Sequence, residues 1–200
     1  MPQIDLRYIQ FAEYMYDKAS KKRTYGEKTP AGDAMSVNLQ PKYAEGRLYA
    51  ESGLAEYIRK ITGGTVSIAV KYLPELAQIL LFGYKKLTRT AGSKSIPSLA
   101  QGAKDTGKYV GVSLYAPDVI DGAEKYTAVF ITKAKFGAPA MALTTMGQNL
   151  TFQTPTTSGE FLPDDLDGKV SIEVAICDTE EDAKAWCDAV FTTDATEVNA

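Results

Sequence analysis

Gly63-Gly64-Thr65-Val66-Ser67-Ile68-Ala69-Val70-Lys71-Tyr72 is the stretch that decides the fold class. Val66, Ile68, Val70 and Tyr72 alternate with Thr65, Ser67, Ala69 and Lys71, the period of two that gives a strand one apolar face. The pattern recurs on both sides. Toward the N-terminus Met35, Val37 and Leu39 alternate, and 4–16 reads as a long strand edged with tyrosines. Toward the C-terminus come Val110, Val112 and Leu114, then 125–133, rich in the β-branched and aromatic residues that suit a pleated surface. Leu150 and Phe152 continue it within 148–154, and Val170, Ile172, Val174 and Ile176 close it. Turn residues punctuate these runs at 24–33, 117–122, 137–139 and 163–168.

Two helices interrupt the strands. Pro74 and Glu75 suit a first turn and Gly83 a stop, which predicts a helix over 74–82. Thr179 has the chemistry of an N-cap, and Glu180, Glu181 and Asp182 favour the positive end of the helix dipole. Ala183, Trp186, Cys187 and Val190 fall on one face, so this second helix is expected to dock on a sheet. The fold class is therefore mainly β with flanking helix (α+β), in a single domain over 1–200. Two segments lack a clean period. Residues 41–60 mix charges with Tyr43, Leu48, Tyr49, Leu54, Tyr57 and Ile58; they read as a long loop that packs either on another copy or on the domain's own sheet. Residues 85–108 are rich in Gly, Ser and Lys and read as an exposed loop.

Of the 200 residues, 44% are hydrophobic and 24% charged, the balance of a globular protein, and twelve tyrosines fit strands and interfaces alike. Net charge is −3 with both signs scattered, which is no footprint for gripping nucleic acid. Lys18 and Lys21-Lys22-Arg23 read as a solvated loop. The N-terminal Met-Pro-Gln-Ile-Asp-Leu-Arg lacks the apolar core of a signal peptide, and the apolar run 77–82 is too short to span a bilayer, so no membrane insertion is expected. Cys177 and Cys187, with no Cys-x-x-Cys pair and no histidine, form neither a zinc site nor a disulfide framework and are expected to be reduced thiols.

The absence of histidine also excludes a Ser-His-Asp or Cys-His arrangement. Asp164-Asp165 falls in a turn and Glu180-Glu181-Asp182 in a helix start, where acids have structural reasons to sit. Gly63-Gly64 and Gly102/Gly107 make no phosphate cradle, and 118–121 lacks the spacing of a calcium loop, although a site built from carboxylates alone stays open. No catalytic, cofactor-binding or metal-ligating residue is assigned, and the expectation is a structural protein that assembles with copies of itself.

A set of ordered features resembles the phi13-type major tail protein family of long, non-contractile phage tails. Leu48-Tyr49-Ala50-Glu51, then 63–68 and 76–83, look like the first half of such a protein. Tyr109-Val110-Gly111-Val112, Tyr126-Thr127-Ala128-Val129-Phe130, 133–139, Thr144-Thr145-Met146-Gly147 and 150–156 are similar to the second, and 183–191 with Trp186 to its closing helix. Each motif is only a strand and a turn; their order and spacing over 39–191 carry the likeness. Glu51-Ser52 departs from the acidic or Asp-Asn pair that the family commonly has there. The resemblance implies a tail tube subunit of β-sandwich or barrel-like fold that closes into hexameric rings. Those rings stack into a tube in the virion, after assembly in the host cytoplasm, and DNA passes through without specific binding. It also implies other tail proteins as partners: tape measure, tail terminator and baseplate or distal tail protein. On this analogy 1–40 hold N-terminal strands, 41–62 a long inter-subunit loop, 63–178 the core sheets, 179–191 the closing helix and 192–200 a polar tail. Terminal arms would cross subunit boundaries. Candidate inter-subunit contacts are Tyr43, Leu48, Tyr49, Glu51, Leu54, Tyr57 and Ile58. A monomeric β-sandwich that binds a ligand or acts in adhesion is the alternative.

Overall fold

The computed structural model describes residues 5–50, 53–120, 122–139, 154–166 and 170–192. In chain order they form β1 (Arg7–Asp17), β2 (Lys22–Tyr25), β3 (Thr29–Pro30), β4 (Ala34–Ala50), β5 (Gly53–Val70), α1 (Glu75–Phe82), β6 (Lys85–Ala91) and β7 (Lys94–Ala100). After these come β8 (Val110–Ile120), β9 (Ala123–Phe136), β10 (Thr156–Phe161), β11 (Ile172–Cys177) and α2 (Glu180–Ala189). The fold is mainly β with flanking helices.

The main sheet runs β2-β1-β8-β9-β10-β5-β4, with β3 on β1 and β11 on β9. β9 is the pivot. One of its edges pairs with β8, while the other is divided between β11, from Tyr126 to Ile131, and β10, from Ala134 to Phe136. The sheet curls across this division, so that Phe11 of β1 and Val66 and Ile68 of β5, far apart in strand order, meet in one core. Phe136 and Phe161 fill the same core, and the Phe11 and Phe136 rings meet edge to face at 5.8 Å. Each such side chain contributes about 1.5–3 kcal/mol by leaving water.

The helices follow the sequence signals. Pro74 takes the N-cap position of α1, and Gly83 ends the helix in the left-handed conformation, its N–H donating to the Ile79 carbonyl. Ala77, Leu81 and Phe82 then plug the core. The Thr179 hydroxyl caps α2 by accepting from the Asp182 N–H at 3.1 Å. Ala183, Cys187, Val190 and Phe191 lie against Ala12, Tyr115, Ala128 and Phe130, on the sheet face opposite the main core.

Four expectations change. Of the segment 41–60, residues 41–50 and 53–60 are strand, the outer part of the β4–β5 hairpin. Within 85–108, β6 and β7 form a separate two-stranded sheet closed by Gly92-Ser93, with Gly92 at φ +63°. In both places neither face is buried, so nothing imposes an alternating apolar pattern that a sequence could display. At β11 the expected apolar face is packed only at Ile172: Ala175 and Cys177 pack toward α2, while Val174 and Ile176 are 61% and 58% exposed. Small residues there let the helix approach. Arg23 is no solvated loop cation; it sits on β2, buried against Asp164. The strand read at 148–153, the terminal arms at 1–4 and 193–200, and Glu51-Ser52 lie outside the described residues.

Candidate assembly surface

β10 pairs with β5 only from Gly64 to Ala69. Beyond Gly63 the β4–β5 hairpin continues alone, with residues 41–49 and 56–62 all exposed. At about 3.3 Å per residue, 41–50 form an arm about 30 Å long. Its root is fixed by backbone contact. Gly63 has φ +132°, and a Cβ there would stand 2.4 Å from the Phe161 carbonyl oxygen; one on Gly64 would stand 2.4 Å from the Phe161 ring. The glycine pair thus lets β5 pass against β10 where the arm departs.

Alternation gives the arm two unlike faces. Tyr43, Glu45 and Arg47 of β4 share one face with Tyr57, Arg59 and Ile61 of β5. There the guanidinium of Arg59 stands 3.8 Å over the Tyr43 ring and that of Arg47 5.6 Å over Tyr57. Both guanidiniums lie 3.5 Å from Glu45, whose carboxylate also takes the Tyr57 hydroxyl as donor and so raises the Tyr57 phenol pKa. Exposed pairs of this kind contribute little singly; as a ladder they stiffen a two-stranded arm. Leu48 and Ile58 share the other face with Ala44 and Gly46 and with the charged Lys60 and Glu56. Ile58 lies opposite Gly46, whose Cβ position is open space. Leu48, Tyr49 and Ile58 are 58%, 65% and 56% exposed.

The structure therefore brings Tyr43 and Tyr57 together on one arm face and Leu48 and Ile58 on the other, with none of them covering the domain's own sheet. Leu54 stands opposite Tyr49 in the register, and Glu51 lies outside the described residues. Sequence reasoning missed Glu45, Arg47 and Arg59. Their spacing, two apart on β4 and facing β5, is the mark of a charged strand face, but only once a strand is known to be there.

Asp164 and Asp165 are structural. Asp164 is 3% exposed and accepts from the Arg23 guanidinium at 2.7 Å and from the Tyr14 hydroxyl at 2.6 Å. Lys133 and Tyr14 donate to Asp165 and hold its carboxyl below the ordinary carboxylate range. Desolvation pushes the Cys187 thiol up to about 12, so it packs as a small hydrophobe. Among the described residues no group of three or more His, Cys, Asp or Glu is placed to hold a metal ion, and no helix is long and apolar enough to cross a membrane. A cleft of about 510 Å³ opens between β4 and the β8–β9 face, lined by Leu6, Met35, Val37, Leu39, Leu114 and Val129 among others, with Asp5 and Ser36 as its polar side chains.

Open strand edges complete the surface. Among the described residues β4 pairs only with β5, β2 only with β1 and β11 only with β9. Such edges carry N–H and C=O groups that can template another chain. No family model and no curated protein sequence matches this chain.

Proposed function

We propose that the protein is a structural subunit that assembles with copies of itself into rings stacked as a tube, in the manner of the major tail protein of a long-tailed phage. The arm carries this reading. A hairpin about 30 Å long, holding Leu48, Tyr49 and Ile58 in the open and rooted on a close glycine contact, has no use in an isolated domain. Docked on another copy it removes Leu48, Ile58 and Tyr49 from water, and aromatic and large aliphatic anchors tend to dominate interface energy. Closure into a ring satisfies the open strand edges without unlimited aggregation. The ordered strand and turn features that resemble tail tube subunits support the same reading. In it the other tail proteins are partners, DNA is a passenger, and the surplus of carboxylates avoids the phosphate neutralisation that would retain a genome.

The test is Leu48→Ser with Ile58→Ser in the purified protein. Both side chains point to solvent in the single chain, so the double variant keeps the wild-type melting temperature and loses tubes in electron micrographs. A variant that forms tubes as the wild type does would remove the arm from the account. The apolar cleft favours one second reading, a monomeric ligand-binding module; a protein that stays monomeric at every concentration and binds an apolar ligand would support it.

A further inference from the structure

The sheet face turned away from α2 is only partly covered. Leu114 of β8 and Val129 of β9 stand opposite each other in register and line the cleft, with Met35, Val37 and Leu39 of β4 as the facing wall. Val174 of β11 stands opposite Val129, and Ile176 opposite Thr127, so antiparallel register puts both on this same face. The apolar floor of the cleft thus runs on, strand by strand, from Leu114 through Val129 to Val174. Met35, Val174 and Ile176 are each more than half exposed, a contiguous apolar surface of the kind that marks an interaction site.

The β4 wall of the cleft is also an open strand edge, since β4 pairs only with β5 among the described residues. An occupant that brings a strand of its own therefore gains backbone hydrogen bonds as well as apolar contact. The arm has the matching parts. Its β5 strand lies open along the outer edge, because β10 pairs with β5 only from Gly64 onward. Laid beside β4 in the plane of the sheet, that strand turns one row of side chains toward the cleft. Leu48 and Ile58 share a row, with Lys60 toward the root and Glu56 toward the tip. Lys60 has no carboxylate partner among the described residues, and the one charged side chain described in the cleft lining, Asp5, has the opposite sign. The arm does not fill the cleft of its own chain, because 41–49 and 56–62 are all exposed.

We infer that the arm of one copy docks in the cleft of a second copy, with its β5 strand along the open edge of β4 and Leu48 and Ile58 over Leu114, Val129 and Val174. The recess beside α1 is the weaker match. It is smaller, about 290 Å³, and Glu13, Glu27, Lys28 and Lys108 stand around its Leu76 and Leu80, so seating Leu48 and Ile58 there would desolvate charge. A copy whose arm is docked still offers its cleft, and one whose cleft is filled still offers its arm. The contact is therefore head to tail and propagates from copy to copy. This inference rests on the self-assembly reading and names the surface that receives the arm.

Photo-cross-linking of the full chain is the experiment, with sedimentation alongside. A chain carrying p-benzoylphenylalanine in place of Tyr49 is mixed with isotope-labelled wild type and irradiated, and the joined peptides are read by mass spectrometry. Cross-links between labelled and unlabelled chains are expected within 35–39 or 172–177. Met35→Glu with Val174→Glu puts charge on the receiving surface and is expected to raise the half-association concentration at least about tenfold. Both side chains are exposed in the single chain, so this variant should melt with the wild type. If the wild type associates but the cross-links fall on α1 or on β6–β7, the docking is wrong while the assembly reading stands. The same holds if the Met35→Glu, Val174→Glu chain associates as the wild type does. A wild type that never associates overturns both.

Discussion

Asp164 is the residue on which the β1–β2 side of the sheet depends. Its carboxylate is buried, and Arg23, Tyr14 and the Asp165 N–H all donate to it. Removing one member of a buried pair leaves the other unmatched, at a cost of about 3–5 kcal/mol. Arg23→Met should therefore lower stability by that order in urea unfolding, and adding Asp164→Leu should restore a large part of the loss. Lys133 and Tyr14 stabilise the charged form of Asp165, so its folded pKa lies below its unfolded one. The stabilisation is present above the unfolded value, about pH 4, and is lost as pH falls from there through the folded value. Asp165→Asn is expected to lower the neutral part of a melting-temperature curve and to flatten its acid limb below pH 4, where the two curves converge. Gly63 illustrates a third constraint. Its backbone lies at φ +132° with the Phe161 carbonyl against it, and Gly63→Ala should cost about 1–3 kcal/mol.

At the scale of elements, α2 offers a clean measurement. Thr179→Ala removes the hydroxyl that accepts from Asp182 and is expected to cost about 1 kcal/mol in thermal unfolding. That helix was legible in the sequence because cap, acidic first turn and apolar face all agree. The core strands β5, β8 and β9 were legible for a similar reason: burial of one face writes the period of two into Val66, Ile68 and Val70 or Val110, Val112 and Leu114. The hairpins were not. Tyr43, Arg47 and Leu48 obey no buried face, and neither do Leu87 and Arg89, so a strand and a polar loop look the same in one dimension. β11 misled differently. Val174 and Ile176 have strand chemistry, but the face that touches α2 is Ala175 and Cys177, chosen for size. Of the seven candidate contacts, the tyrosines and aliphatics of 41–60 were singled out for their apolar character. Glu45, Arg47 and Arg59, which brace them, were passed over as ordinary surface charge.

The molecule as a whole holds its stability and its contacts in different places. A core of Phe11, Phe82, Phe136 and Phe161 with branched aliphatics closes without any partner. The arm, the β6–β7 hairpin and the open edges of β4 and β11 lie outside it. Hydrogen exchange should report the division: arm amides 41–50 exchange fast in dispersed protein and slow on assembly, while β8 and β9 are slow in both states. Exchange unchanged by assembly would place the contacts elsewhere. The measurement that meets the central claim most directly is negative-stain electron microscopy of the purified protein over a range of concentrations, with light scattering alongside. Rings or striated hollow tubes are expected, their share rising with concentration. A uniform monomer at every concentration would contradict that claim.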